Sequence, residues 1–320
     1  MLRTRTSSVY LLLVILLMSA FVLQACQLSP SLPTPTIPKT QVSPTTAEPQ
    51  PASSTIATTP TSQAAIATIL PETPAPSPDL AQQIDQVLIE DVDWYVGIQP
   101  MNGDRLYARN TEESFEPASM IKIPIALVVL KILEYRGDTV EDIQSYGIGR
   151  NFSELLEAMV VRSEEPATET LEYFARGENR LRNYLDWWGL RHTTFDPRRS
   201  TVEDLLLSLE LVNTREALND EFSNYLLELM GKYSENDKIL LGVMMDQLPE
   251  CVFYNKRGTL LNPTIVSDMG ILKCGNQTWY LVIAGTPAIG STANFEDIQA
   301  SIEDFGRIFA AYVQEQISSD

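Results

Sequence analysis

Residues 115–124 have the sequence Phe-Glu-Pro-Ala-Ser-Met-Ile-Lys-Ile-Pro and begin an apolar segment that continues to Tyr135. The segment predicts a buried helix from Ser119 to Tyr135, in which Lys122 lies one turn after Ser119 on the same face. A serine hydroxyl is a weak nucleophile that needs a base, and a lysine amine is such a base when burial lowers its pKa. Ser-x-x-Lys alone also occurs by chance, but a buried lysine without a role is costly.

The pattern Phe-x-Pro-Ala-Ser-x-x-Lys-x-Pro resembles the active-site segment of class A-like serine β-lactamases, which are penicillin-recognising serine hydrolases. The resemblance covers about residues 90–318. It implies an α+β, β-lactamase/transpeptidase-like fold, with an antiparallel sheet built from both chain ends, a helical subdomain, and an active site between them. Two further family signatures, Ser-Asp-Asn and Lys-Thr-Gly, are then expected downstream in that order.

Ser163-Glu164-Glu165 stands where the second signature is expected. The resemblance implies that Ser163 relays a proton towards the leaving nitrogen, and that Glu165 replaces an asparagine that contacts the lysine and the substrate. A carboxylate accepts hydrogen bonds but cannot donate them, and it favours a protonated Lys122. The alternative is that these residues cap a helix that starts at Pro166, and both roles can hold at once.

Lys256-Arg257-Gly258-Thr259 stands where the third signature is expected. The resemblance implies that Lys256 draws the carboxylate of the substrate and that Gly258 lets its backbone approach closely. It also implies that the Thr259 N–H is an oxyanion donor beside that of Ser119. Arg257 replaces a hydroxyl residue, so it either binds a carboxylate or obstructs the cleft. The alternative is an exposed turn at a strand end.

Residues 189–201 contain no glutamate, whereas class A enzymes carry a deacylating glutamate on the equivalent loop. Asp196 is the only carboxylate in this stretch. The resemblance therefore implies a Ser119 acyl-enzyme with β-lactams, a role in antibiotic resistance, and slow deacylation. Two alternatives stay open: a penicillin-binding-type D-Ala-D-Ala peptidase, and a non-catalytic binding lipoprotein of the same fold.

The N-terminal region predicts export and tethering. Residues 1–26 combine a basic start with an apolar run that ends in Leu-Gln-Ala-Cys, which is typical of a lipoprotein signal whose Cys26 is lipidated. An uncleaved transmembrane anchor is the alternative. Residues 27–80 form a Pro/Ser/Thr-rich linker, and residues 81–320 form the hydrolase domain. We expect the domain at the outer face of the cytoplasmic membrane or in the cell envelope.

Composition excludes several classes of partner. The formal net charge of −19 argues against binding to nucleic acid phosphates. The sequence has one histidine, His192, and three cysteines without a Cys-x-x-Cys pair, so we expect no metal site. No cofactor is expected, and we expect a monomer whose substrate is a β-lactam or a cell-wall peptide.

Strands and helices follow from periodicity and turn residues. The predicted strands are Trp94–Gln99, Arg105–Ala108, Val252–Asn255, Val266–Leu272 and Trp279–Ala284. The further predicted helices are Phe152–Val161, one from Pro166, Asn179–Trp188, Val202–Leu211, Phe222–Met230 and Phe295–Gln316.

Cys251 and Cys274 are equidistant from the predicted turn Leu261-Asn262-Pro263. In an antiparallel hairpin they therefore face each other at a distance that a disulfide spans. We predict a disulfide, with two buried thiols as the alternative.

Overall fold

A five-stranded antiparallel sheet joins the two ends of the folded region, as the sequence predicts. The structure is a computed structural model that describes residues 78–175, 178–235 and 239–318. The strands of this sheet are β1 (Val92–Pro100), β2 (Tyr107–Arg109), β7 (Val252–Leu261), β8 (Thr264–Cys274) and β9 (Gln277–Pro287). Their order in the sheet is β2-β1-β9-β8-β7.

Helices fill the chain between β2 and β7 and cover the sheet. Two short 3-10 helices, Ala118–Ile121 and Leu240–Asp246, flank this helical region. The α-helices are α1 (Pro78–Val87), α2 (Lys122–Tyr135), α3 (Val140–Ile143), α4 (Phe152–Val160), α5 (Glu165–Phe174), α6 (Glu178–Trp188), α7 (Val202–Thr214), α8 (Asp220–Glu235) and α9 (Phe295–Ser318). Two small ribbons pair β3 (Gly147–Ile148) with β4 (Arg150–Asn151), and β5 (Thr194–Phe195) with β6 (Arg198–Arg199).

Each face of the sheet packs on a separate apolar core, because side chains alternate between the two faces of a strand. Met269 and Val282 join the core of the helical region around α2. Trp94 and Leu281 join the other core, which includes α1 and α9. Strand β7 is the edge strand beside the helical region, so groups on its inner face meet the start of α2.

Most predicted elements form, with shifted ends. Helix α1 begins inside the predicted linker, and the predicted helix from Ser119 is divided into a 3-10 turn and α2. The signal segment, Cys26 and the linker up to residue 77 lie outside the described residues. None of the helices that the structure describes combines the length and apolar content of a bilayer-spanning segment.

Cys251 and Cys274 form a disulfide with an S–S distance of 2.00 Å, as the hairpin register predicts. The β7–β8 ladder runs from Leu261 opposite Thr264 to Val252 opposite Lys273, and the two cysteines form the next pair outward. The bond joins the start of β7 to the end of β8 and so braces the strand that carries Lys256.

Candidate active site

Ser119 lies in a tight turn that begins with a left-handed residue. Ala118 has φ 49°, and the 3-10 helix Ala118–Ile121 leads directly into α2. Non-glycine residues seldom adopt positive φ, and such strain is common at functional sites. Met120 and Ile121 are fully buried and anchor the turn in the core, while Ser119 stays partly exposed. Lys122, the first residue of α2, is only 1% exposed.

Ser163 links the nucleophile to two lysines. Its Oγ donates to Ser119 Oγ at 2.9 Å and accepts from Lys122 Nζ at 3.2 Å and from Lys256 Nζ at 3.0 Å. Lys122 Nζ also donates to the Ser163 carbonyl oxygen at 2.7 Å. Ser163 itself has φ 59°, a second left-handed residue at the site. The structure thus brings Ser119 and Lys122 of the first signature, and Lys256 of the third, to the hydroxyl group of Ser163 in the second.

Gly258 allows β7 to approach the nucleophile turn. A Cβ at this position would lie 2.9 Å from the Ser119 backbone nitrogen and 2.8 Å from the Pro117 carbonyl oxygen. Real Cβ atoms do not tolerate such contacts, so only glycine fits here without movement. Thr259 follows on the same edge strand, with its side chain exposed.

Burial disfavours the charged form of both lysines at the site. It lowers the pKa of Lys122, and the nearby Glu165 carboxylate opposes this effect without reversing it. It lowers the pKa of Lys256 to about 7, and the positive charges of Lys122 and Arg257 act in the same direction. Both amines are therefore neutral more often than ordinary lysines, which suits proton transfer.

Glu165 forms a salt bridge with Lys122, with 3.2 Å between Oε2 and Nζ. Its other oxygen accepts from the Arg198 guanidinium. Burial raises the pKa of Glu165, but Arg198 and Lys122 outweigh burial and hold it below the usual value. In the part of the chain that the structure describes, no side chain caps the start of α5, and Glu164 pairs instead with Arg150 and Arg162. The hydrogen-bonded cap is therefore wrong, but Glu165 does lie in the first turn of α5, where a negative charge is favourable.

Sequence reasoning missed Arg198 and Glu172. Arg198 lies on β6 and approaches Glu172 at 3.5 Å in addition to Glu165. Asp196, the carboxylate expected from this stretch, is exposed next to the hairpin turn. The missed signal was the spacing of Glu165 and Glu172, since residues seven apart lie on one helix face and together can hold one arginine.

Arg257 does not join the cluster around Ser163. Lys256 points to the helical side of the sheet, and successive strand side chains alternate, so Arg257 extends to the opposite face. Its register partner there is Asp268, which is fully buried. This corrects the expectation that Arg257 binds substrate in the cleft or obstructs it. Its positive charge opposes the burial effect that raises the pKa of Asp268 to about 7.

Comparison with known families decides the identity of the fold. A family model described as the beta-lactamase enzyme family matches residues 79–313. The chain belongs to the beta-lactamase enzyme family. The expected resemblance is thereby confirmed, and the folded region is a β-lactamase-like serine hydrolase domain. No match is found among curated proteins.

Solved structures of the same fold include class A beta-lactamases and a protein named PBP-A. The chain is similar to a structure of PBP-A, with 18% identity, a TM-score of 0.62, and coverage of 74% of this chain and 97% of that one. It is similar to a class A beta-lactamase from Bacteroides cellulosilyticus, with 18% identity, a TM-score of 0.63, and coverage of 75% and 99%. A PBP-A mutant in an acyl-enzyme complex with penicillin G matches with 18% identity, a TM-score of 0.60, and coverage of 74% and 97%. At this identity the likeness shows the fold alone.

Proposed function

We propose that this protein is an exported serine hydrolase that is acylated by β-lactams on Ser119 and is deacylated slowly. One observation carries the proposal: Ser163 Oγ lies within hydrogen-bond distance of Ser119 Oγ and of both lysine amines. A nucleophile, a relay hydroxyl and two buried amines in mutual contact are the groups that acyl transfer requires.

Acylation follows from these contacts. Ser119 passes its proton to Ser163 Oγ while the hydroxyl proton of Ser163 passes to a neutral Lys122 amine, so both hydrogen bonds reverse from the direction that they have in the resting structure. Ser119 Oγ then attacks the lactam carbonyl carbon, and the C–N bond of the ring breaks when the tetrahedral intermediate collapses. Ser163 returns the proton to the departing nitrogen and is resupplied by Lys122. The carboxylate of the substrate favours the protonated form of Lys256, whose Nζ is then a charge-assisted donor for it.

The proposed slow deacylation rests on the residues that stand in place of the deacylating glutamate of class A enzymes. The β5–β6 hairpin contributes Arg198 to the cluster, whereas Asp196 is exposed. The nearby carboxylate of Glu165 has a pKa below its usual value and is bound by Arg198 and Lys122. A carboxylate held in this way is a weak general base for water.

A chromogenic cephalosporin such as nitrocefin tests the proposal. We expect a burst of product that corresponds to one molecule per enzyme, followed by a slow steady phase. The variant Ser119→Ala should show neither phase. Rapid linear turnover without a burst would exclude slow deacylation, and the absence of any product would exclude the β-lactamase assignment.

The second candidate is a penicillin-binding-type D-Ala-D-Ala peptidase. The observation that favours it is that the β5–β6 hairpin contributes Arg198, and not the exposed Asp196, to the groups around Lys122. An enzyme of this type need not hydrolyse its penicillin adduct, so it needs no carboxylate there. Release of D-alanine from a peptide that ends in D-Ala-D-Ala distinguishes the two. A non-catalytic binding role requires that neither substrate reacts.

We also propose that Cys26 is lipidated and that residues 27–80 space the domain from the membrane. The support is the apolar run that ends at this cysteine and the Pro/Ser/Thr-rich segment after it. The protein should then fractionate with membranes, and Cys26→Ala should release it or block its processing.

A further inference from the structure

Three carboxylates interact with Arg198 beside the nucleophile turn. Arg198 lies among three carboxylates: it bonds Glu165, it approaches Glu172 at 3.5 Å, and its charge also acts on Glu116. Glu116 is partly buried two residues before Ala118, whose backbone nitrogen donates to it at 3.2 Å. Arg199 also acts on Glu116 and Lys122 pairs with Glu165, so the three carboxylates share three cationic side chains.

Glu165 is the member of this group that is open to solvent beside the nucleophile. Its Oε2 lies 3.2 Å from Lys122 Nζ and its Oε1 accepts from Arg198. A carboxylate has roughly four acceptor sites, so acceptor capacity remains on both oxygens. The Glu165 side chain is 45% exposed, whereas Lys122 beside it is 1% exposed. Part of the Glu165 side chain is therefore accessible to a substrate.

An acceptor at this place discriminates between substrates by their acyl side chains. A carboxylate can pair with an ammonium or N–H group of the substrate, but it offers no donor to a carbonyl group and repels a second carboxylate. The effect is moderate, because Glu165 is nearly half exposed and such pairs are screened by solvent.

We propose that Glu165 makes the cleft selective for substrates whose acyl side chain carries an ammonium group close to the scissile carbonyl, and that it disfavours a carboxylate at that position. With Lys256 as the site for the substrate carboxylate, the preferred substrate is zwitterionic. This inference rests on the proposed acylation of Ser119 by β-lactams.

Three penicillins with one phenylacetyl framework provide the test. Benzylpenicillin has hydrogen on the α carbon of its side chain, ampicillin has an ammonium group there, and carbenicillin has a carboxylate. Second-order acylation rate constants would be measured by intact-mass spectrometry at a pH of about 6.5, below the usual α-amino pKa of about 7.7 to 8.0. We expect ampicillin to react about fivefold faster than benzylpenicillin, and carbenicillin to react more slowly than both.

Two neighbouring glutamates provide matched variants. Glu165→Gln should bring the ampicillin to benzylpenicillin ratio close to one, while Glu164→Gln should keep the native ratio, because Glu164 pairs with Arg150 and Arg162. The ampicillin and benzylpenicillin rate constants in each ratio are measured on the same variant. An effect of the substitution on Lys122 changes both rate constants and therefore cancels in the ratio. If Glu165→Gln does not fold, the order of the three rates in the native protein still tests the idea.

The outcomes separate the two proposals. Equal rates for all three penicillins, or fastest reaction with carbenicillin through Arg198, would overturn the selectivity and leave the acylation of Ser119 intact. Failure of all three to form an adduct would overturn the proposed function, and the selectivity with it.

Discussion

Lys122 Nζ lies 3.2 Å from Glu165 Oε2, so the carboxylate and the burial of the lysine have opposing effects on the pKa of its amine. Burial lowers the pKa of Lys122, while the Glu165 carboxylate raises it, and burial prevails. The lysine can therefore act as a base although a carboxylate stands beside it. An asparagine, as in the family signature, would not favour the protonated amine in this way.

Replacing Glu165 with glutamine should shift the pH dependence of acylation. Because the opposing carboxylate is lost, the pKa of Lys122 falls further, and the ascending limb of the acylation rate should move to lower pH. The measurement is the second-order rate constant with benzylpenicillin as a function of pH. Glu164→Gln is the control and should leave the limb in place. A shift to higher pH in Glu165→Gln would contradict the assignment of Lys122 as the base.

Gly258→Ala should impair acylation, because the added Cβ would lie 2.9 Å from the Ser119 nitrogen and must displace β7 or the nucleophile turn. Overpacking of this kind costs about 1–3 kcal/mol. We expect at least a roughly tenfold slower acylation, which corresponds to about 1.4 kcal/mol, together with a lower unfolding midpoint.

Gly231→Ala is the matched control for that substitution. Gly231 lies inside α8, and a Cβ there would meet the nearest atom, Tyr254 Cδ1, at an ordinary 3.4 Å. This variant should retain the native acylation rate and gain roughly 0.5–1 kcal/mol of helix propensity. Equal behaviour of the two alanine variants would show that close approach at Gly258 is unimportant.

Asp268→Asn should change the pH dependence of stability. Burial raises the pKa of Asp268 to about 7 from an ordinary 3.8, so the native state binds more protons than the unfolded state between these values. The stability that this group contributes is present below pH 3.8 and is lost as the pH rises through about 7. The free energy of unfolding of the variant, relative to the native protein, should therefore rise across this range.

Urea denaturation at a series of pH values between about 4 and 8 measures this difference. A difference for Asp268→Asn that stays constant with pH would mean that the buried carboxyl does not titrate in this range.

Loss of the disulfide should destabilise the domain without removing its chemistry. Cys251 and Cys274 are 23 residues apart, and closing a loop of that length stabilises a protein by about 3 kcal/mol. The double variant Cys251→Ala/Cys274→Ala should lose about that amount in denaturant unfolding and should still be acylated below its unfolding midpoint. An unchanged unfolding curve would contradict the bracing role.

The sequence identified the residues that local patterns or family signatures mark, and it missed an ion-pair cluster that forms only when distant elements pack together. Ser119 and Lys122 follow from helix spacing, and the disulfide follows from hairpin register. Arg198 could not be placed, because its partners on α5 meet it only when the β5–β6 hairpin packs on that helix. The orientation of Arg257 was missed for a different reason. The predicted strand stopped at Asn255, so the alternation of side chains along β7 was not applied beyond it.

The central claim is that Ser119 is the residue that β-lactams acylate, and intact-mass spectrometry with peptide mapping after incubation with benzylpenicillin tests it most directly. The account predicts one added penicillin per molecule, located on the peptide that contains Ser119 and absent from Ser119→Ala. An adduct on another residue, an adduct that persists in Ser119→Ala, or the absence of any adduct on the native protein would contradict it.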